Sequence, residues 1–295
     1  MIDRLFTFEG TGELLALPFV RSALIAAVLL GLVAGLLAPL IVARRMAFAV
    51  HGTAELAFTG GAAALLLGVS VSLGAVAGSL LAALAFGLLG LRSEQRDAVI
   101  GVVLAFGLGL GVLMLALYEG RSANKFGLLV GSIVSVDSTN LVVLSIATLL
   151  VLGVLGLCYR PLLFASTDPD VAAARGVPVR VLAPLFAVLV GLTTAVAVPI
   201  VGAVLVLAVM VTPGAAAAQV TSDPLRASLL SVLFAESALV GGIVLSLGPG
   251  LPISGYVTTI VFGWYLLCRL IAWRRGDHRP QVVDSGDPDL VLARA

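Results

Sequence analysis

The sequence predicts an all-α fold: a polytopic transmembrane helical bundle of about nine spans, eight if two adjoining segments merge, with a short helix on its cytoplasmic face. Three observations predict it. Of the 295 residues, 60% are hydrophobic and 11% charged, with a mean hydropathy of +1.18, more apolar surface than a soluble domain has any use for. Apolar runs recur along the whole chain, many near the ~20 residues that cross a bilayer as helix. Almost every ionisable side chain falls between those runs and not inside them.

Taken in order, residues 1–20 carry Asp3, Glu9 and Glu13 and no basic stretch before a short apolar core. They read as an extracytoplasmic segment and not as a cleaved signal peptide. Spans are predicted at 21–43, 46–69, 71–91 and 98–117. Residues 126–136 are apolar but too short to cross, so they read as a re-entrant or interfacial segment. A span at 141–158 leads into the largest loop, 159–181. Residues 182–198 and 200–212 are nearly continuous and broken at Pro199, which reads as a tight hairpin or one kinked helix. The last spans fall at 229–247 and 253–272. Residues 21–275 thus form one membrane domain. Residues 276–295, rich in Pro, Gly and Asp, read as a disordered cytoplasmic tail.

Basic residues set the orientation. With nine spans, one set of loops holds eleven Arg residues (44, 45, 92, 96, 160, 175, 180, 226, 269, 274 and 275), against Arg4, Arg21, Arg121 and Lys125 on the other side. The first set is read as cytoplasmic, with the N-terminus outside and the C-terminus inside. Merging residues 182–212 into one span would spoil this asymmetry, which favours the hairpin. The expected location is a bacterial-type cytoplasmic (inner) membrane.

Of sixteen acids, only Glu55 and Glu236 lie within predicted spans, and of two histidines only His51 does. An ionisable group in hydrocarbon is costly and by default marks an ion path or proton relay. His51 and Glu55 stand four residues apart, on one helical face. Imidazole and carboxylate together suit several divalent transition metals. Entering at about Met46 and Leu229, the second and eighth spans would place all three groups at a similar depth, roughly 7–13 Å in. The bland alternative is a buried hydrogen bond between helices.

Within 159–181, Asp168 suits an N-cap, Pro169 the first helical turn and Asp170 the helix dipole. Ala172–Ala174 propagate a helix, and Gly176 ends it. Such a helix is either an interfacial connector or a coupling element that docks on a motor protein.

Several classes are excluded or disfavoured. No G-x-x-x-x-G-K-[ST] or H-E-x-x-H motif occurs, so ATP is not bound through a P-loop here, and no catalytic constellation or prosthetic cofactor is expected. A net charge of +1 with scattered basic residues gives no reason to expect nucleic acid binding. Cys158 and Cys268 read as small hydrophobes. The spacings Gly31/Gly35 and Gly107/Gly111 read as helix-packing sites.

Five segments together resemble the membrane permease of ATP-binding-cassette importers for zinc, manganese and related metals. Residues 42–48 (Val-Ala-Arg-Arg-Met-Ala-Phe) resemble the basic end of that family's early span. Residues 50–60 (Val-His-Gly-Thr-Ala-Glu-Leu-Ala-Phe-Thr-Gly) stand where the family usually shows Gly-Asp-Ala-Leu-Ser-His-Ala-Val-Leu-Pro-Gly. The family's Asp falls on His51 and its His on Glu55. Residues 130–136 (Val-Gly-Ser-Ile-Val-Ser-Val) are similar to its Gly-Ser-Leu-Leu-Gly-Val, and residues 168–176 to its Asp-Pro-Glu-x-Ala-x-x-x-Gly coupling segment. Residues 201–217 and 245–255 are similar to its Pro-Ala-Ala and Leu-Pro-Ser-Gly regions. Gly250 departs from an acid often found before Leu-Pro.

The resemblance implies a homodimeric permease in the lipid bilayer. It implies separate ATP-binding-cassette ATPase subunits, which supply ATP, and an extracytoplasmic metal-binding receptor. Zn2+ or Mn2+ would be transported past His51 and Glu55, with Glu236 as a further candidate ligand. Asp168, Pro169, Asp170, Ala174, Arg175 and Gly176 would form the ATPase-coupling helix. The alternatives are a permease for metal-siderophores or vitamins, and an ATP-independent proton-coupled transporter.

Overall fold

A computed structural model describes residues 15–88, 93–120, 138–247, 249 and 252–275. Residues 1–14 of the N-terminal segment, the apolar segment at 126–136 and the tail lie outside the described residues, and the first span begins at Pro18, inside the segment expected to precede it. Throughout the described residues the secondary structure is helical: α1 (Pro18–Ala43), α2 (Ala47–Leu67), α3 (Val71–Leu88), α4 (Ser93–Leu117), α5 (Ser138–Thr167), α6 (Pro169–Ala174), α7 (Val179–Val201), α8 (Ala203–Val220), α9 (Pro224–Leu247) and α10 (Ile253–Arg274). Helices meet the need of a membrane segment to bond every backbone N–H and C=O internally. Seven of them are long and apolar enough to cross a membrane; α3 and α8 are apolar but shorter.

The predicted hairpin is present, but its corner is Gly202 and not Pro199. Pro199 is carried inside α7. Gly202 adopts φ +86°, a conformation that a residue bearing Cβ resists, and ends α7 while starting α8. The reversal is tight: the Thr194 hydroxyl lies 3.5 Å from the Met210 sulfur. Sixteen residues of continuous helix would hold those groups ~24 Å apart.

Two other predicted boundaries move. The 141–158 span extends as α5 to Thr167, through Pro161, so the predicted loop at 159–181 is mostly helix. The 229–247 span begins earlier, at Pro224, where the Asp223 carboxylate accepts from the Leu225 N–H at 2.9 Å. Asp followed by Pro is a strong helix start, and polar residues on the first turn hid it from a search for apolar runs.

The long helices alternate in direction. α1 and α9 are antiparallel, with Gly31 against Glu236 and Gly35 against Val232. α2 and α3 are antiparallel through Gly60, Gly74 and Gly78, whereas α2 and α4 run parallel, Gly107 meeting Leu56 and Gly111 meeting Phe58. α7 returns along α3, with Gly87 at Pro184 and Gly191 at Ala83. α10 returns along α9, where Trp264 stacks on Phe234 at 4.9 Å and donates to the Ser237 hydroxyl at 2.9 Å. Arg44, Arg45, Arg160, Arg175, Arg180, Arg226, Arg274 and Arg275 consequently lie toward one end of the bundle.

At that end α1 turns into α2 through a Schellman motif. The Met46 N–H donates to the Ile41 carbonyl and the Arg45 N–H to the Val42 carbonyl. Arg45, where glycine is usual, takes φ +53°. The centre of the bundle is α2, which packs on α3, α4, α7 and α8. Its Val50, Ala54, Ala57 and Phe58 are completely buried.

The α2–α3 crossing depends on bare backbone. A Cβ on Gly60 would overlap the Gly74 carbonyl oxygen, whereas one on Gly153 of α5 meets nothing within 4 Å. Gly60→Ala is therefore expected to cost about 1–3 kcal/mol through overpacking. Gly153→Ala is expected to be neutral or stabilising by up to ~1 kcal/mol. Thermal unfolding in detergent checks this; an unchanged midpoint for Gly60→Ala would show that the helices are not in close contact.

Candidate metal site

His51 and Glu55 lie on the second and third turns of α2, on one face. Glu55 is buried, only 6% exposed, and His51 is half-buried. The buried Nδ1 of His51 and Oε2 of Glu55 have no hydrogen-bond partner among the described residues. Buried polar atoms in folded proteins are nearly always paired. Two unpaired ones, both metal-ligating in type and one helical turn apart, mark a place that a polar occupant can complete.

The surrounding structure fixes α2 while leaving those atoms free. Gly52, beside His51, lets Phe86 of α3 and Ile100 of α4 approach so closely that an added Cβ would stand 2.9 Å from each. One turn beyond Glu55, the Thr59 hydroxyl lies 2.8 Å from the Glu55 carbonyl and 2.6 Å from the Gly107 carbonyl of α4. That hydroxyl links the backbones of α2 and α4, and Oε2 of Glu55 takes no part in the link. Nδ1 of His51 and Oε2 of Glu55 therefore do not form the helix-pairing hydrogen bond of the bland reading.

Glu236 is placed elsewhere. It sits on α9, which packs on α1, α8 and α10. Its carboxylate covers Gly31 of α1, where an added Cβ would be 2.9 Å from Cδ. The expected common depth also fails. With α9 starting at Pro224, Glu236 stands ~18 Å along its helix, against ~6 Å and ~12 Å for His51 and Glu55 on α2. Among the described residues of one chain, no cluster of three or more His, Cys, Asp or Glu side chains forms.

The 168–176 segment folds as its punctuation predicts. The Asp168 carboxylate accepts from the Val171 N–H at 3.0 Å, Pro169 opens α6, Asp170 lies in the first turn, Arg175 is the C-cap and Gly176 takes φ +82°. Ala174 and Arg175 are exposed, as is most of the helix. Ala172 is fully buried and seats α6 against α5 and α7. The exposed face includes Val171, 45% exposed, an apolar group turned outward at the basic end of the bundle.

Arg44 was read from the sequence only as a topogenic charge. In the structure it bridges elements far apart in the chain. Its Nε–H donates to the Ser166 hydroxyl at 2.7 Å, its Nη2–H to the Leu162 carbonyl at 3.2 Å, and its guanidinium lies 4.7 Å from the Phe186 ring centre. Burial lowers it to about 10, so it remains charged at neutral pH. No local spacing signals a contact across 122 residues.

Comparison with known proteins places this arrangement in context. The profile of the ABC 3 transport family matches residues 16–272. The chain is 32% identical over 235 residues to the manganese transport system membrane protein MntC of Halalkalibacterium halodurans, covering 79% of this chain and 80% of that one. It is 28% identical over 255 residues to the manganese import system permease protein ScaB of Streptococcus parasanguinis, covering 86% and 91%. The fold is similar to PsaBC from Streptococcus pneumoniae in complex with Fab, with a TM-score of 0.77 at 26% identity, covering 91% of this chain and 95% of that one.

The Asp168 cap makes a local prediction. Asp168→Ala should destabilise α6 by about 1 kcal/mol, or about fivefold in its local opening, whereas Asp168→Asn, an equally good cap, should not. Hydrogen exchange at the Val171 amide reads this directly. Equal exchange in the two variants would show that the cap does not hold the helix.

Proposed function

The chain belongs to the ABC 3 transport family as a membrane permease subunit whose ATPase is a separate chain, and on that footing we propose that its cargo is a divalent transition metal ion, manganese or zinc. The observation that carries the cargo assignment is the His51–Glu55 pair. Two metal-ligating groups with unpartnered buried atoms lie one turn apart on the central helix of the bundle. The manganese systems named for its relatives favour the same class.

One chain offers an imidazole nitrogen and a carboxylate, too few donors for a metal that takes four or more. A homodimer with α2 close to its two-fold axis would bring a second His51 and Glu55, making a four-residue set. The dimer reading is supported by this deficit. A set assembled from two moving halves also suits transport, which needs release as well as capture. Glu236, remote from the pair within one chain, is assigned no role as its ligand.

The Arg-rich end is assigned to the cytoplasm by the positive-inside rule, which puts the N-terminus outside. α6 then faces the cytoplasm, where its exposed Val171, Ala174 and Arg175 form the docking face for the ATPase. A receptor protein on the outer side would deliver the ion, which passes His51 and Glu55 as ATP binding switches the bundle between outward and inward states. The pair's position about 6–12 Å along α2 from the Arg44 end puts it in the inner half of that path.

Reconstituted with its ATPase and receptor, the double variant His51→Ala/Glu55→Ala should still assemble but lose radioactive Mn2+ uptake by at least about tenfold, in keeping with functional ionisable groups within spans. Glu55→Gln, which keeps the shape and drops the charge, should also be impaired. Wild-type uptake by the double variant would sink the site. Uptake that needs a proton gradient and no ATPase would favour the secondary-transporter alternative.

A further inference from the structure

Arg44 joins the two helices that flank α6 to the turn from which α2 begins. α6 is tied to both neighbours by short connections. Asp168, its cap, follows Thr167 of α5 directly, and only residues 175–178 separate it from α7. A push on α6 must therefore move the last turn of α5 and the first turns of α7. Arg44 touches both, through Ser166 and Leu162 on α5 and Phe186 on α7.

The donors and acceptors are consistent throughout. The Ser166 hydroxyl gives its proton to the Leu162 carbonyl at 2.5 Å, which leaves its lone pairs for the Arg44 Nε–H. The Leu162 carbonyl takes a second proton from Arg44 Nη2. The stretch of α5 that Arg44 grips begins just after Pro161, where the helix lacks an N–H and bends most easily. On the other side the link is stiff. The turn is closed by its two Schellman hydrogen bonds, Met46 is buried, and α2 starts at Ala47. His51 is one turn further on.

We propose that Arg44 is a positioning residue for transport, a strut that carries the displacement of α6 to the base of α2 and so to the His51–Glu55 pair. This rests on the reading of α6 as the ATPase-docking helix. The planar guanidinium is essential to the strut because it bonds at two edges while its face lies on Phe186. Lysine offers one point charge and cannot do both.

The test uses the whole transporter, with ATPase and receptor, reconstituted in vesicles, and reads Mn2+ transported per ATP hydrolysed. Arg44→Gln should assemble and hydrolyse ATP at near the wild-type rate, yet its transport per ATP should fall about tenfold, within the usual range of coupling between linked sites. Arg44→Lys should not restore it, and Ser166→Ala should give a smaller loss of the same kind. A wild-type ratio in Arg44→Gln overturns the strut. So does a loss of assembly and hydrolysis in parallel with transport, which is what a merely structural anchor gives. Should Arg44→Gln not fold, a wild-type ratio in Ser166→Ala overturns the proposal instead. The docking reading is tested separately by Val171→Asp, which should shed the ATPase. If Val171→Asp keeps its ATPase, the docking reading fails, and with it the α6 origin of the displacement; if Val171→Asp sheds its ATPase while Arg44→Gln keeps the wild-type ratio, the strut alone fails.

Discussion

A polar atom inside a membrane bundle must find its partner within the bundle, because the surrounding hydrocarbon offers none. Most of the structure follows from meeting that demand locally. Serine and threonine hydroxyls bond the backbone of their own helix, as Thr193 does to the Leu189 carbonyl and Ser246 to Ile243. A few reach across to a neighbour, as Ser79 does to the Gly191 carbonyl of α7 at 2.7 Å. Four buried side-chain atoms among the described residues, on His51, Glu55, Ser231 and Tyr256, stay unanswered, and the two that stand one turn apart on α2, Nδ1 of His51 and Oε2 of Glu55, are the proposed metal ligands.

The same demand explains why α2 sits where it does. Helices in lipid gain little from burying apolar side chains, so they associate by close backbone approach and shape. Gly52 and Gly60 on α2, with Gly74 and Gly78 on α3 and Gly107 and Gly111 on α4, remove side chains at each crossing. The proposed ligand pair is thereby carried on the best-gripped helix, where Thr59 links the backbones of α2 and α4 one turn beyond Glu55.

Much of this was legible in the sequence. Hydropathy located the long helices because each is a continuous apolar run, and the Asp168–Gly176 punctuation predicted α6 almost to the residue, since caps and stops act through local backbone geometry. The corner falls at Gly202 and not at Pro199 because a membrane helix tolerates proline once its neighbours satisfy the freed backbone, whereas the positive φ of the corner favours glycine. What is not local was not legible. The separation of Glu236 from His51 and Glu55 depends on which helices neighbour α9, and the Arg44–Ser166 bond joins residues 122 positions apart. Periodicity describes one helix at a time and says nothing about its partners.

The reversed order of imidazole and carboxylate on α2 has a physical consequence for the proposed path. Relative to the family pattern, the acid moves one turn away from the Arg44 end and the imidazole one turn towards it. A cation arriving from the far end therefore meets the almost fully buried carboxyl group first and the half-buried imidazole second. The carboxyl group, an oxygen donor, thus stands deeper in the proposed path, and the imidazole nearer its exit. An imidazole also leaves the choice among manganese, zinc and their neighbours to geometry and availability, since it binds all of them in the order of their intrinsic affinities. In this chain, selectivity would then rest on how two copies of α2 are spaced, and the Arg44 contacts at the base of α2 bear on that spacing.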